Sequence, residues 1–408
     1  MEAIFKNGLV LQPDFSFKKQ DLIIGDGVIK SPKAKTTGYD EVDAKNKLIM
    51  PSFTNAHVHM AMGLAKGMGA GMPLEKMFKE VLFPLEEELT DKQAYIGALV
   101  CASEFIMSGC THVHNIGRSW SQPVLEALDD VGLKGSMALA LKDVDLESKE
   151  KVKPKFITEN KKLVKNLKKH PRIKGMFGLA NEVESSGELI LRVKGLAKKY
   201  GVGIHMHVAE SSFEENYILK ETDKTSVEYL NSLGILNEKT RVVHAVDIAK
   251  TDIKILAESE SKVVHCPTAN LMLRNGISPV GELLKGGVNM RLGVDDPVAT
   301  SNNDILRELF NMAVLQESRG FHLKAEQLLP LLIGEKSLAP DTPADIVLID
   351  IDKLVAGGNF LDQLVFGGLT VDSVLVDGNA LMWRGELLAL DYPDLLEKAS
   401  DESAKLFN

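Results

Sequence analysis

The strongest constraint on the fold is an alternation of strands and helices that begins near Pro51 and continues for about 290 residues. Short apolar runs such as GIHMHVAE, RVVHAV, KVVHCPT and MRLGVDD each follow a segment with the apolar spacing of a helix. Strands joined by helices pair in parallel, and this number of units suggests that the sheet closes on itself. We therefore predict an α/β fold in which residues 51–343 form a (β/α)8 TIM-like barrel.

The two ends of the chain share a different pattern. Residues 1–50 contain short β-rich segments, and residues 344–390 return to the same kind of sequence with ADIVLID and VDSVLVDG. The dipeptides Asn7-Gly8 and Asp26-Gly27 predict β-hairpins, and Asp377-Gly378 predicts a turn. We predict one small β-sandwich domain built from both termini, followed by a C-terminal helix over residues 391–408.

Charge and composition exclude several classes of protein. The 408 residues include 48 lysines and arginines against 57 aspartates and glutamates, and the formal net charge of −9 argues against nucleic-acid or anionic-membrane partners. No apolar run approaches the roughly 18 residues of a membrane span, and the first residues lack the pattern of a signal peptide. Three cysteines without framework spacing are typical of a reduced protein. We expect a cytoplasmic homo-oligomer that acts on a small molecule.

Side chains that can bind metal or transfer protons follow several predicted barrel strands. His57 and His59 share one face of the first strand because side chains alternate with a period of two. The other candidates at strand ends are His207, Glu210, His244 and Asp295. A single strand histidine is more often packed or hydrogen-bonded than metal-binding, but the active site of a barrel lies at the carboxyl ends of its strands. Three histidines and a carboxylate from this set would form a ligand set for Zn²⁺ or Fe²⁺, with room for a water.

Several stretches, in order along nearly the whole chain, resemble the amidohydrolase superfamily. Within it they are similar to the branch of S-adenosylhomocysteine/5'-methylthioadenosine (5'-deoxyadenosine) deaminases and triazine chlorohydrolases. The matching stretches are PSFTNAHVH at residues 51–59, HVAE at 207–210, His244, HCPTANL at 265–271, NGISPV at 275–280 and GVD at 293–295.

The resemblance implies roles for the candidate residues. It makes His57, His59, His207 and Asp295 the ligands of one divalent metal ion, with zinc preferred over iron. Asp295 would also belong to the catalytic residues. The remaining two, Glu210 and His244, would be both catalytic and substrate-binding: Glu210 would move protons to and from the ring nitrogen and leaving group, and His244 would orient the attacking water and the substrate.

The same resemblance implies a metal-dependent hydrolase that removes ammonia from an aminopurine. The expected substrate is an adenosine-type nucleoside: S-adenosylhomocysteine, methylthioadenosine, 5'-deoxyadenosine or adenosine. Glu86 lies in the Pro-x-Glu setting in which relatives hold ribose hydroxyls, and we expect it to bind the substrate. The alternatives are a deaminase of guanine, pterin or another heterocycle, a chlorohydrolase-like enzyme, and an inactive barrel that binds a nucleoside. Glu210 argues against the last, because a binding module has no use for an acid beside a metal.

Two departures from the family leave the exact substrate open. Many relatives carry a Pro-His pair after the fourth strand, whereas this chain has no histidine near Ala180. A second acid, Asp296, follows Asp295 where relatives have glycine. No lysine ends the fourth strand, where two-metal relatives carry a bridging carbamylated lysine, so the resemblance favours one metal ion.

The other strand histidines are predicted to be structural. We expect His112 and His114 to face the helices, because Asn115 takes the inward polar position of the family. His205 lies two residues before His207 and is expected below the metal as a hydrogen-bond partner. His265 is expected to be either a hydrogen-bond partner behind the site or a structural residue.

Overall fold

The structure is a computed structural model that describes residues 1–145, 148, 150–154, 156–352, 360–368 and 370–407. Its strands fall into three groups along the chain. The strands before the barrel are β1 (Ala3–Lys6), β2 (Leu9–Leu11), β3 (Phe17–Lys19), β4 (Leu22–Gly25), β5 (Val28–Ile29), β6 (Asp40–Asp43) and β7 (Lys47–Pro51). The barrel strands are β8 (Phe53–Val58), β9 (Cys110–Gly117), β10 (Lys134–Leu141), β11 (Ile173–Gly175), β12 (Phe177–Leu179), β13 (Ile204–Val208), β14 (Thr240–His244), β15 (Lys262–His265) and β16 (Asn289–Leu292). The last strands are β17 (Ile346–Asp350), β18 (Thr370–Val376), β19 (Asn379–Trp383) and β20 (Glu386–Leu387).

Helices connect and cover these strands. They are α1 (Leu74–Met77), α2 (Phe83–Glu88), α3 (Asp91–Met107), α4 (Ser121–Val131), α5 (Ile157–Asn166), α6 (Gly187–Tyr200), α7 (Ser212–Thr222), α8 (Ser226–Ser232), α9 (Lys250–Glu258), α10 (Pro267–Met272), α11 (Val280–Lys285), α12 (Pro297–Thr300), α13 (Ile305–Ser318), α14 (Ala325–Ile333), α15 (Phe360–Phe366) and α16 (Tyr392–Phe407). Shorter turns of helix occur at Met60–Ala65, Phe78–Leu82 and Leu167–Lys169.

The barrel strands pair in parallel around a nearly closed ring. Their order is β8-β9-β10-β12-β13-β14-β15-β16, and β11 pairs with β10 so that β11 and β12 share the fourth position. A parallel bridge between Val58 and Asp295 joins the first strand to the segment after the last. The predicted (β/α)8 TIM-like barrel is therefore confirmed.

Signals in the sequence begin and end the helices. Thr90 accepts a hydrogen bond from the backbone N–H of Gln93, and the Gln93 side chain accepts one from the backbone N–H of Thr90, which is a capping box at the start of α3. Helix α6 ends at Gly201, which has a φ of 71° that glycine adopts without steric cost.

The terminal strands form two sheets packed face to face. One has the order β5-β4-β1-β6, and the other has the order β20-β19-β18-β17-β7-β2-β3. Apolar side chains from both sheets, including Phe5, Ile24, Ile49 and Leu348, form a buried cluster between them. The predicted β-sandwich made from both termini is thus present. The exact domain bounds of 1–50 with 344–390, 51–343 and 391–408 remain a prediction.

One predicted hairpin is wrong. The turns at Asp26-Gly27 and Asp377-Gly378 connect antiparallel neighbours, but the turn at Asn7 connects β1 in one sheet to β2 in the other. Asn7 has the positive φ that such dipeptides favour, 66°. The dipeptide therefore predicts the turn correctly, whereas the partner of the following strand is decided by packing.

Among the described helices, none combines the length and apolar character needed to cross a membrane.

Candidate active site

Three histidines and an aspartate converge at the carboxyl ends of the barrel strands. Each offers a ligand atom that lies within 4.8 Å of those of the others: His57, His59, His207 and Asp295. His57 Nε2 lies 2.9 Å from Asp295 Oδ1, and His59 Nε2 lies 3.5 Å from the same oxygen. Imidazole and carboxylate donors at this spacing suit a divalent metal ion. The structure thus brings together the four residues that the resemblance assigns as ligands.

Barrel closure positions the aspartate against the first strand. The backbone N–H of Asp295 donates to the carbonyl of His57 over 3.0 Å, beside the bridge that closes the ring. Asp295 has a φ of 74°, a left-handed conformation that is uncommon for residues other than glycine and that clusters at functional sites. The backbone therefore holds this carboxylate at the centre of the site.

Hydrogen bonds behind the ligands orient two of the imidazoles. His207 Nδ1 donates to the carbonyl of Ala180 over 2.6 Å, which leaves Nε2 free to bind metal. His57 Nδ1 lies 2.9 Å from His205 Nε2, and His205 is fully buried. His205 thus lies behind the ligands as a hydrogen-bond partner, as predicted. The segment around Ala180, which lacks the histidine of many relatives, contributes a backbone carbonyl here.

Glu210 and His244 lie on the rim of the same site. Glu210 Oε2 is 3.5 Å from His244 Nε2, and Glu210 Oε1 accepts a hydrogen bond from Asn275 Nδ2 over 2.9 Å. Burial raises the pKa of the Glu210 carboxyl, although His244 acts in the opposite direction. A raised pKa favours the protonated form of the carboxyl, which is the form that a general acid requires.

His244 has one nitrogen bonded and one open. Its Nδ1 donates to Asn270 Oδ1 over 2.8 Å, so that the lone pair lies on Nε2. Within the described part of the chain, the buried Nε2 has no hydrogen-bond partner. This nitrogen can therefore accept a hydrogen bond from a water or a substrate in the cavity.

Two asparagines of this site received no role from the sequence. Asn270 holds His244 and also lies 3.4 Å from His265 Nδ1, whereas Asn275 holds Glu210. Both lie in stretches that resemble the family, and that resemblance is the feature of the sequence from which a role for them could have been predicted. His265 is buried behind Asn270, where burial lowers its pKa to about 3, and it is therefore neutral.

Further buried carboxyls hold the loop that carries Glu210. Glu214 Oε2 accepts from the backbone N–H of Glu210 over 2.7 Å, and Glu182 Oε1 accepts from that of Ala209 over 2.8 Å. Burial raises the pKa of Glu182 to about 7 and that of Glu214 well above its ordinary value, with the charges of Glu182 and Glu210 adding to the latter. These contacts restrict the position of the Glu210 side chain.

Glu86 lies at the side of the cavity in front of the metal ligands. The lining of this cavity includes His59, Glu86, Arg118, His207, Glu210 and Asp295. Glu86 Oε2 accepts a hydrogen bond from Arg118 Nη1 over 3.0 Å, and Arg118 also lies 5.2 Å from the ring centroid of Phe83. The sequence placed Glu86 in a substrate site, but it did not reveal Arg118 as its partner.

Asp296, the additional acid, also lines the cavity. Its Oδ1 accepts from the backbone N–H of Val298 over 2.9 Å at the start of α12, and burial raises its pKa to about 7. Asp296 therefore combines a structural hydrogen bond with a place in the lining of the cavity.

The predicted orientation of His112 and His114 is wrong. Arg241 Nη2 lies 3.1 Å from His114 Nε2, although β9 and β14 are not neighbours in the sheet. Such a contact can form only through the barrel interior, so these histidines face inward at the amino ends of the strands. Asn115 does line the catalytic cavity at the rim, where its Oδ1 accepts from the backbone N–H of Met60, but this position does not decide which way the two preceding histidines face.

Comparison with known proteins gives concordant results. Residues 48–332 match the model of the amidohydrolase family. A 5'-deoxyadenosine deaminase of Methanococcus vannielii is 30% identical over 95% of this chain and 97% of its own length. A 5-methylthioadenosine/S-adenosylhomocysteine deaminase of Pyrococcus furiosus is 29% identical over 97% of this chain and 98% of its own length.

Solved structures share the fold at lower identity. An adenosine deaminase from Xanthomonas campestris with bound zinc superposes with a TM-score of 0.91 at 21% identity, covering 99% of this chain and 98% of its own. An atrazine chlorohydrolase from Arthrobacter aurescens in complex with zinc has a TM-score of 0.89 at 16% identity, covering 98% of this chain and 100% of its own. At these identities the likeness concerns the fold alone.

Proposed function

The chain belongs to the amidohydrolase family, and we propose that it is a metal-dependent deaminase of an adenosine-type nucleoside. The observation that carries this proposal is a cluster of four side chains that could hold a metal ion, next to a cavity lined by the buried carboxyl of Glu210 and by His244 with its open imidazole nitrogen. The deaminases named among its relatives, which align over nearly their full lengths, support the reaction class. The products are ammonia and the corresponding oxo-purine nucleoside.

The four ligands fit a divalent ion, and we propose zinc as the ion in the cell. The donor set of three imidazoles and one carboxylate suits zinc, with iron as the alternative. When bound, such an ion lowers the pKa of a coordinated water from 15.7 to roughly 7 and so supplies a nucleophile at neutral pH.

Glu210 and His244 carry the remaining chemistry in this proposal. Glu210, with its raised pKa, gives its proton to the ring nitrogen beside the carbon under attack. The two protons of the attacking water then restore the Glu210 carboxyl and supply the proton that it passes to the departing amino group. His244 accepts a hydrogen bond at Nε2 and so orients the attacking water, since Asn270 holds its other nitrogen. Asn275 keeps the Glu210 carboxyl turned toward the cavity.

Glu86 is the group proposed to recognise the sugar. Its two oxygens suit the vicinal hydroxyls of ribose, and its place in the lining of the cavity supports contact with the substrate. Arg118 pairs with the Glu86 carboxylate in the absence of ligand. When a nucleoside binds, Glu86 would therefore contact both Arg118 and the ribose.

A direct test of the function is ammonia release by the metal-loaded protein. The panel contains adenosine, 5'-deoxyadenosine, methylthioadenosine, S-adenosylhomocysteine, guanine and a pterin. We expect turnover of one or more of the adenosine-type nucleosides and little of the free bases. Preference for a free base would replace the nucleoside proposal with a general heterocycle deaminase. Ammonia from none of the compounds would contradict deamination of this group of substrates.

The Glu86→Ala variant tests whether Glu86 binds the sugar of the substrate. A hydrogen bond to a charged group is worth roughly 1.5–3 kcal/mol, so we expect kcat/KM for the preferred nucleoside to fall about ten- to a hundred-fold. Most of the loss should appear in KM, because the bond is made equally in the ground and transition states. Activity on the free base should change little, since no sugar is present.

Glu87→Ala provides a matched control on the same helix, because Glu87 is exposed and Glu86 is not. An equal loss for base and nucleoside in Glu86→Ala would assign Glu86 to holding Arg118 and not to recognition of ribose.

We also propose a cytoplasmic location and a homo-oligomeric state. The three cysteines, Cys101, Cys110 and Cys266, are all free and buried, which supports a reducing compartment. Size-exclusion chromatography with light scattering would determine the oligomeric state.

A further inference from the structure

A second cavity lies at the amino ends of the barrel strands, on the opposite side of the barrel from the catalytic site. Its volume is about 390 Å³, and its lining includes Thr54 and His112 from the first two barrel strands and Asp345 from the β domain. The cationic side chains that line it are Lys134, Arg241, Lys262, Arg291 and Lys336. This concentration of positive charge stands out in a chain with a formal net charge of −9.

The carboxylates near this cavity pair with only part of its positive charge. Asp345 pairs with Lys134 at 2.8 Å. Glu335 lies 3.7 Å from Lys262 and 3.5 Å from Arg291, but its side chain is 78% exposed, so these contacts are weak. Lys134 also pairs with Asp377, which lies outside the lining, at 2.6 Å. Five cations thus face three carboxylates, which leaves an excess of two positive charges when all are ionised.

Arg241 and Lys336 have no carboxylate partner within the described residues. The guanidinium of Arg241 contacts His114 Nε2 at 3.1 Å, Ser136 Oγ at 3.4 Å and the sulfur of Met176. Lys336 Nζ donates to the carbonyl of Phe53 and the hydroxyl of Thr54 over 3.0 Å and 2.8 Å, and it lies 3.4 Å from His112 Nδ1.

Burial and the neighbouring cations lower the pKa values of several basic groups in this cavity. Burial lowers the pKa of Lys336 to about 7, and Lys134 acts in the same direction. Burial lowers the pKa of Arg241 to about 10, with Arg291 adding to the effect. Burial likewise lowers the pKa of His112 and of His114 well below the ordinary value, and both rings are therefore neutral. An anion in this cavity would offset the repulsion among the cations.

We propose that this cavity binds a tetrahedral oxyanion, either inorganic phosphate or the phosphoryl group of a small monoester. A doubly charged anion matches the excess of positive charge better than chloride or a monocarboxylate does. Arginine binds the oxygens of phosphate through two parallel hydrogen bonds, and lysine adds a point charge. Since the lining joins the barrel to Asp345 of the β domain, the anion would also bridge these two parts of the molecule.

Calorimetric titration of the metal-loaded protein at constant ionic strength tests the proposal. The titrants are inorganic phosphate, glycerol 3-phosphate and chloride. We expect saturable binding of inorganic phosphate or of the monoester, and none of chloride. A stronger affinity for the monoester than for inorganic phosphate would identify the phosphoryl group of an organic molecule as the ligand.

Variants of the lining locate the bound anion. Lys262→Met and Arg241→Gln should each weaken phosphate binding about tenfold or more, the factor that corresponds to roughly 1.4 kcal/mol. Lys254→Met is the matched control, because Lys254 is a lysine outside the cavity whose side chain is 79% exposed. Lys262 is itself 29% exposed at the edge of the cavity, so its variant can report even where Arg241→Gln fails to fold.

Two results would overturn the proposal. The first is an absence of phosphate and monoester binding to the folded wild-type protein at millimolar concentrations. The second is wild-type affinity in folded Lys262→Met, or in Arg241→Gln where it folds, since phosphate held by the catalytic metal would be unaffected by either substitution.

Discussion

A Glu210→Gln variant is expected to retain its metal and to lose most of its turnover. The amide preserves the size of the side chain and can still hydrogen-bond to Asn275, but it cannot transfer a proton. A positioned acid–base group contributes typically 10²–10⁴-fold to the rate, and we expect kcat for the preferred nucleoside to fall by about that factor. The measurement is steady-state ammonia release together with metal content for the wild-type and variant proteins.

Glu221→Gln is the matched control for this experiment. Glu221 is exposed near the end of α7, the helix that follows Glu210, and the same chemical change there should leave turnover unaltered. Near-normal turnover in Glu210→Gln would reduce Glu210 to a buried carboxyl with no part in proton transfer. Loss of metal in Glu210→Gln would show that it supports the ligands instead.

A His57→Ala variant is expected to lose the metal and, with it, the activity. His57 is fully buried and offers one of the four atoms that could hold the metal ion. Loss of an outer-shell partner of a metal site typically costs 10–100-fold in affinity, so removal of a ligand should cost more than that. Elemental analysis after metal loading should give one equivalent per chain for the wild type and far less for the variant.

His322→Ala controls for the removal of an imidazole as such. The His322 side chain is 70% exposed and pairs with Glu317 away from the cavity, so its variant should keep one equivalent of metal. Circular dichroism of His57→Ala separates loss of the site from loss of the fold. Two equivalents in the wild type, or an unchanged metal content in folded His57→Ala, would contradict the mononuclear site with these ligands.

The sequence predicted the barrel because its evidence is local. The alternation of strands and helices and the end of α6 at Gly201 both depend on residues close together in the chain. The spacing of His57 and His59 likewise follows from the strand period and needs no knowledge of the rest of the molecule. The resemblance to the amidohydrolases, which the family match confirms, added His207 and Asp295 to this pair.

Contacts between distant parts of the chain were not predictable in this way. Arg118 lies 32 residues after Glu86 and pairs with it, and Asn275 lies 65 residues after Glu210 and holds its carboxyl. Each contact depends on how far one loop reaches over the barrel rim. The sequence pattern around Arg118 or Asn275 does not predict how far the loop reaches.

The sequence by itself determined the barrel and singled out the candidate ligands and the candidate acid, since each follows from local periodicity or from a matching stretch. Only the tertiary structure decided which side chains share the interior. His114 meets Arg241 across the barrel, against the prediction that it faces the helices. The physical reason is that ring closure and strand stagger set the height of each residue inside a barrel, and both are properties of the whole sheet.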